Sequence, residues 1–252
     1  MTAVRKIVFE DKRISMADLV AAVRADFEGC EHIRRMLIED APKWGNNNDE
    51  ADINMTKLFD AIIKEIGTYR GKLGNPKLPA LYPVSSNVPQ GLSVAALPSG
   101  RKAGKPLADG CSPSQGMDRL GPTAILQSLG KLPHDCIDGG TLLNIKLTPA
   151  VVAGEEGKRR LSAFLKTFLD LDVFHIQFNV VSHEVLRCAQ RAPEDYKSLL
   201  VRVAGYSAYF VELSREIQED ILSRTAHEST TPAAPPVAGG AGLGKGRGTS
   251  RG

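Results

Sequence analysis

Four cysteines, one long glycine-rich loop and one glycine between two short apolar runs carry the chemistry available to this chain. Cys30, Cys111, Cys136 and Cys188 are widely spaced and form no CxxC pair, which argues against a zinc site or a disulfide framework and fits a reducing cytoplasm. The loop from Leu97 to Pro122 contains Ser99-Gly100-Arg101-Lys102-Ala103-Gly104-Lys105 and Gly110, Gly116 and Gly121. It invites a phosphate-cradle reading but lacks the GxGxxG and GxxxxGK[ST] spacings. A structural loop packed against other protein fits it better, because so long a segment without regular structure is usually functional or tightly held. Gly205, in Arg202-Val203-Ala204-Gly205-Tyr206, reads on local grounds as a turn between two extended segments.

Several segments together give Gly205 another meaning. Arg202–Tyr206, extended by Ser207-Ala208-Tyr209-Phe210, resembles the radical-bearing motif of the glycyl radical enzymes. That family includes pyruvate formate-lyase, glycerol dehydratase, choline trimethylamine-lyase and the benzylsuccinate synthases. The stretch Ser99–Pro122 is similar to its long loop. Gly139-Gly140-Thr141-Leu142-Leu143-Asn144 and His175-Ile176-Gln177-Phe178-Asn179-Val180-Val181 are similar to its two preceding strands. Ala41-Pro42-Lys43-Trp44-Gly45-Asn46 resembles a turn further upstream. The segments occur in the family's order across residues 3–225.

The resemblance implies a stored radical on the Cα of Gly205, delocalised into both flanking amides, with Arg202, Val203, Ala204, Tyr206 and Ser207 supporting the loop. Glycine suits such a site because it lacks a Cβ and reaches backbone conformations closed to other residues. The resemblance also implies that no cofactor or metal is bound. A separate activating enzyme with S-adenosylmethionine and an iron–sulfur cluster would install the radical. A catalytic cysteine would then be oxidised to a thiyl radical in a reaction of lyase, dehydratase or formate acetyltransferase type. In the family that cysteine sits in Gly-Cys-x-Glu. Gly29-Cys30-Glu31 lacks the intervening residue, and Cys111, Cys136 and Cys188 have no such setting. The expected partners are the activating enzyme and a complementary catalytic half or homologous full-length subunit. A radical-carrying spare-part module and a non-catalytic relic are the alternatives.

The elements that must position Gly205 follow from periodicity. Ser15-Met16-Ala17-Asp18 opens a helix to about Asp26, and Glu31–Glu39 forms a second. Ala41–Asp49 is a polar, turn-rich loop. Met55, Leu58, Phe59, Ile62, Ile63 and Ile66 share one helical face. Strands are expected at Leu81–Ser85, Leu142–Leu147, Val173–Val181, Leu199–Val203 and Tyr209–Leu213, and the segment 87–122 is expected to be irregular. Helices are expected at Thr123–Leu132, Arg159–Leu171, Ser182–Gln190 and from a Ser214 cap to about Thr225. Val173–Val181 alternates Phe174, Ile176, Phe178 and Val180 against His175, Gln177 and Asn179, which gives a strand with two unlike faces.

The fold class is therefore α/β with parallel pairing. The resemblance implies the C-terminal portion of a ten-stranded barrel with the Gly205 loop pointing into its centre. Residues 1–95 would belong to the pyruvate formate-lyase-like part, 96–226 to the glycine radical domain and 227–252 to a disordered tail rich in Pro, Gly and Arg.

Composition is ordinary for a globular chain, 42% hydrophobic and 24% charged. The whole formal charge of +3 resides in Lys245, Arg247 and Arg251, so residues 1–228 are balanced and nucleic acid is not an expected partner. The tail's Gly239 and Gly244-Lys245 miss a phosphate loop because Gly246 stands where Ser or Thr is required. Met1–Met16 is broken by charges and lacks the apolar core of a signal peptide. No apolar run reaches the roughly 18 residues of a membrane helix.

Overall fold

The computed structural model describes residues 1–137 and 139–230. The tail from 231 onward, with its near-miss phosphate loop, lies outside the described residues. Thr230 is buried, and its carbonyl accepts from Thr123 Oγ1 at 2.5 Å.

The first unit is helical. After an opening π-helical segment at Arg5–Glu10, α1 spans Met16–Arg24 and α2 spans Glu31–Glu39. The expected capping box is present: Ser15 Oγ accepts from the Asp18 amide at 3.1 Å, and the Ser15 amide donates back to Asp18 Oδ2 at 3.2 Å. Helix α1 ends earlier than expected because Asp26 and Phe27 adopt φ of 50° and 64°, outside helical space. This turn buries Phe27 completely against Ile7, Leu19, Ile33 and Leu37.

Helix α3, Asp49–Ile66, is capped by Asn48 and packs Phe59 into a second core. Its buried stripe is narrower than the sequence suggests, since Leu58 and Ile62 remain exposed. The strand expected at Leu81–Ser85 does not form. Leu81 makes one bridge to Thr141, and Val84 at φ 59° then takes the chain out of extended conformation. Pro83, which has no amide proton to donate, makes a continued ladder less favourable still.

The segment 87–122 contains a short helix, α4 (Asn87–Ser93), and is otherwise irregular. Arg101 organises it. The guanidinium donates to the carbonyls of Gly91 at 2.7 Å and Ala95 at 2.9 Å, and also reaches those of Val94, Lys105 and Pro106. A cation that spends its donors on backbone carbonyls is structural. From the other side Asn46 clamps the loop, donating to Met117 O at 2.8 Å and accepting from the Arg119 and Leu120 amides.

Helix α5, Pro122–Leu129, leads to the central strand β1, Leu142–Leu147. Helix α6 spans Gly154–Asp170, starting five residues before the expected Arg159, and carries the chain to β2, His175–Val180. Helix α7, His183–Arg191, is capped by Ser182. A hairpin follows, β3 (Leu200–Arg202) and β4 (Ser207–Tyr209), then α8 (Arg215–Ser223) and β5 (Ala226–His227). Beyond Tyr209 the expected extension gives way to a 3-10 turn at Phe210–Glu212, which buries Phe210 completely. Ser214 precedes α8 without making a side-chain cap to its backbone.

The main sheet has the order β2-β1-β5 and is parallel throughout, Leu142 facing His175 and Leu147 facing both Val180 and His227. The hairpin is antiparallel, with Arg202 opposite Ser207. Thus β1 is the fully flanked strand, and the hairpin packs on a third core of Val181, Leu186, Val201, Phe210 and Ile221. No helix of the described residues is long and apolar enough to cross a membrane.

Two measurements test this packing. Leu143 is fully buried on β1, so Leu143→Ala should lower unfolding free energy by about 3 kcal/mol in a urea titration. Lys146, also buried on β1, donates to the carbonyls of Ile221 and Leu222 at 3.1 and 3.0 Å. Burial, with the nearby Arg224 charge, pushes its ammonium down to about 8, and burial pushes Lys43 to about 8 as well. The unfolded chain then holds these protons at higher pH than the folded one, so stability should rise from about pH 8 to 9. Above that, the buried Cys111 thiol, raised to about 12, opposes the gain. Lys146→Met should leave only the part of the rise due to Lys43.

Candidate functional site

The hairpin turn strongly favours glycine at residue 205. The Val203 amide donates to Tyr206 O at 2.9 Å, closing the turn around Ala204 and Gly205. Ala204 is not among the positive-φ residues, whereas Gly205 lies at φ 83°, so only the second central position needs the conformation that glycine enters freely. A Cβ at Gly205 would also overlap the hydroxyl and ring of Tyr82. Tyr82 reaches the turn from the first part of the chain and stacks on His175, ring centroids 6.4 Å apart and planes 27° apart.

The backbone before the turn is held by side chains of β2. Arg202 and Ser207 face each other at a point where Arg202's own N–H and C=O turn away from β4. Asn179 meets both: its Oδ1 accepts from the Arg202 amide at 2.7 Å and its Nδ2 donates to the Arg202 carbonyl at 2.6 Å. Two residues earlier on the same face, Gln177 Oε1 accepts from Arg202 Nε at 2.6 Å and from the Gly205 amide at 3.2 Å. Arg202 Nη1 continues to Ser207 Oγ at 3.2 Å. Gln177 Nε2 is buried with no hydrogen-bond partner among the described residues, a cost of about 1–3 kcal/mol.

The far side of the turn is tied to buried charge. Arg224 Nη1 donates to the Val203 carbonyl at 2.9 Å, while Nη2 pairs with Asp220 at 2.9 Å and Asp109 at 3.2 Å. Asp109, from the long loop, also accepts from Asn144 Nδ2 at 2.5 Å, and Asp220 accepts from Gln115 at 2.7 Å. Burial pushes the Asp220 carboxyl up while Arg224 pulls it down. Close by, His227 Nε2 lies 3.0 Å from Asp118, which also accepts from the Thr225 hydroxyl. Loop, turn and C-terminal helix therefore share one buried ionic knot.

The structure brings together all six residues singled out in the sequence. Val203 and Ala204 are buried, Tyr206 packs against the third core, and Arg202 and Ser207 are linked to each other. Sequence reasoning missed Tyr82, Gln177, Asn179 and Arg224. The signal for two of them was the polar face of Val173–Val181. Gln177 and Asn179 on that face are buried, whereas on the apolar face Ile176 and Phe178 pack against the second core and Phe174 and Val180 are exposed. Two amides at i and i+2 are an unusual pair to bury, and here they bind backbone. Cys111 is buried with its thiol pushed up by desolvation, Cys30 stands at the N-cap position of α2 without a side-chain cap, Cys136 lies in a 3-10 turn and Cys188 on α7 accepts from Arg191.

Comparison with known proteins fits this geometry. A family model described as glycine radical matches residues 107–211, which include the hairpin, and one described as pyruvate formate lyase-like matches residues 1–91. The chain is 46% identical over 231 residues to isethionate sulfite-lyase of Nitratidesulfovibrio vulgaris, covering 90% of this chain and 28% of that protein. It is 40% identical over 225 residues to trans-4-hydroxy-L-proline dehydratase of Clostridioides difficile, covering 89% and 28%. The glycerol-bound B12-independent glycerol dehydratase of Clostridium butyricum superposes with a TM-score of 0.86 at 43% identity, over 90% of this chain and 29% of that one. The chain thus spans less than a third of the length of these relatives. With its two matched segments and this structural likeness, the chain belongs to the glycyl radical enzymes and corresponds to their C-terminal portion.

Proposed function

We propose that Gly205 is the residue on which this chain stores a glycyl radical. The observation that carries the reading is the turn itself: positive φ, a Cβ position occupied by the Tyr82 side chain, and backbone anchored on both sides by Gln177 and Arg224. A Cα radical needs such a place, because its persistence depends on a fixed backbone and on the absence of a side chain. Arg202 and Ser207 hold the strands at the base of the turn, Val203 and Ala204 seat it in the core, and Tyr206 closes it.

In the proposed cycle, an activating enzyme using S-adenosylmethionine and an iron–sulfur cluster removes one hydrogen atom from Gly205 Cα. The Gly205 radical then takes a hydrogen atom from a cysteine thiol. The S–H bond breaks as the Cα–H bond forms, leaving a thiyl radical to attack substrate. That cysteine would belong to a catalytic portion beyond Cys30, Cys111, Cys136 and Cys188, none of which has the Gly-Cys-x-Glu setting. The named relatives include a sulfite-lyase and two dehydratases, which favours radical elimination as the reaction class. On this reading the pyruvate formate-lyase-like part would span residues 1–95 and the glycine radical domain residues 96–226.

Activation of the chain under anaerobic conditions, followed by air, should cut it at Gly205 and give two pieces by mass spectrometry. An intact chain after activation confirmed by consumption of S-adenosylmethionine would contradict the proposal. Gly205→Ala should resist the cut. It should also lose about 1–2 kcal/mol of unfolding free energy, because alanine is strained at this φ and must displace Tyr82.

A further inference from the structure

Gln177 is held in one orientation by what it accepts. Its Oε1 takes hydrogen bonds from the Gly205 amide and from Arg202 Nε, and neither of these groups can accept in return. Turning the amide over would set Nε2 against two N–H donors. Arg202 is in turn fixed by Ser207 Oγ and by the Asn179 clamp on its backbone. A continuous line runs from Ser207 through Arg202 and Gln177 to the nitrogen beside Gly205 Cα.

The arrangement has an internal cost that core packing does not explain. Gln177 is 94% buried by its 6% relative exposure, and Nε2 has no partner among the described residues. Apolar side chains of similar length would fill the same space without an orphaned donor. The oxygen is therefore the part of this side chain that the site uses.

We infer that Gln177 is the positioning residue of the radical, fixing the Ala204–Gly205 peptide plane against which the Gly205 Cα spin delocalises. The inference rests on Gly205 being the radical residue. Delocalisation into that amide depends on the torsion about N–Cα of Gly205. A peptide restrained at its N–H samples a narrow range of that torsion, and a freed one samples a wide range. Spin density on the nitrogen, and the splitting from the remaining Cα hydrogen, should follow.

The test compares three forms of the full chain labelled with 15N-glycine: the parent, Gln177→Glu and Gln177→Met. Glutamate keeps an acceptor oxygen for both donors, whereas methionine keeps length and removes the acceptor. Before activation, the Gly205 amide of Gln177→Met should exchange with solvent about fivefold faster than in the parent, and that of Gln177→Glu should stay near the parent rate. After activation, the parent and Gln177→Glu should share one glycyl doublet in electron paramagnetic resonance. Gln177→Met should give a changed splitting or broader lines, and a signal that decays several times faster. Parent-like exchange and a parent-like spectrum in Gln177→Met would overturn the inference while leaving Gly205 as the radical residue. A protected Gly205 amide with no glycyl signal in the activated parent would instead defeat the radical reading. Should Gln177→Met fold poorly, Arg202→Met removes one of the two donors that hold Gln177 Oε1 and should change the spectrum in the same direction, by a smaller amount.

Discussion

Two side-chain amides take the place of a neighbouring strand, and the rest of the site depends on that substitution. The edge of β3 at Arg202 turns its N–H and C=O away from β4, and Asn179 satisfies both. Gln177, on the same face of β2, reaches one step further and takes the Gly205 amide. A backbone strand in that position would have paired residue after residue and flattened the turn. Side chains pair only where they are placed, so the hairpin is anchored up to Gly205 while the turn keeps its own geometry.

That anchoring is meaningful only because β2 is itself fixed. It lies in register beside β1, and β1 is flanked on its other side by β5, which immediately follows the C-terminal helix. Lys146 on β1 ties into the end of that helix, and Arg224, just beyond it, returns to the Val203 carbonyl. The long loop supplies Asp109 to the same guanidinium. Breaking one partner of this buried cluster leaves another charge uncompensated, so its members hold each other in place more firmly than their pairwise energies indicate. The long loop, whose glycines lack the spacing of a phosphate cradle, acts as a structural strap. Its Arg101 is spent on its own carbonyls and its Asp109 on the base of the turn.

Much of this was legible from the sequence, and the rest was hidden for identifiable reasons. Strand β1 matched its expected bounds because Leu142, Leu143, Ile145 and Leu147 are apolar and buried. The ends of α1 and of the Leu81 segment were misjudged because Asp26, Phe27 and Val84 take positive φ, which nothing in their side chains announces. Tyr209–Leu213 read as a strand because alternation cannot distinguish extension from a turn that buries Phe210. At the site, the resemblance located the turn residues, since they are contiguous. Tyr82, Gln177 and Arg224 lie 123, 28 and 19 positions from Gly205 and meet it only through the fold. The polar face of β2 was visible as alternation, but alternation does not say that Gln177 and Asn179 on it are buried.

The account makes Gly205 Cα the home of an unpaired electron, and isotopic labelling tests that claim most directly. The chain should be prepared with [2-13C]glycine, activated without oxygen, and its electron paramagnetic resonance spectrum compared with that of unlabelled chain. The account predicts a glycyl doublet further split by a large 13C coupling in the labelled chain and absent from Gly205→Ala. A spectrum unchanged by the label would place the electron on another side chain and contradict it.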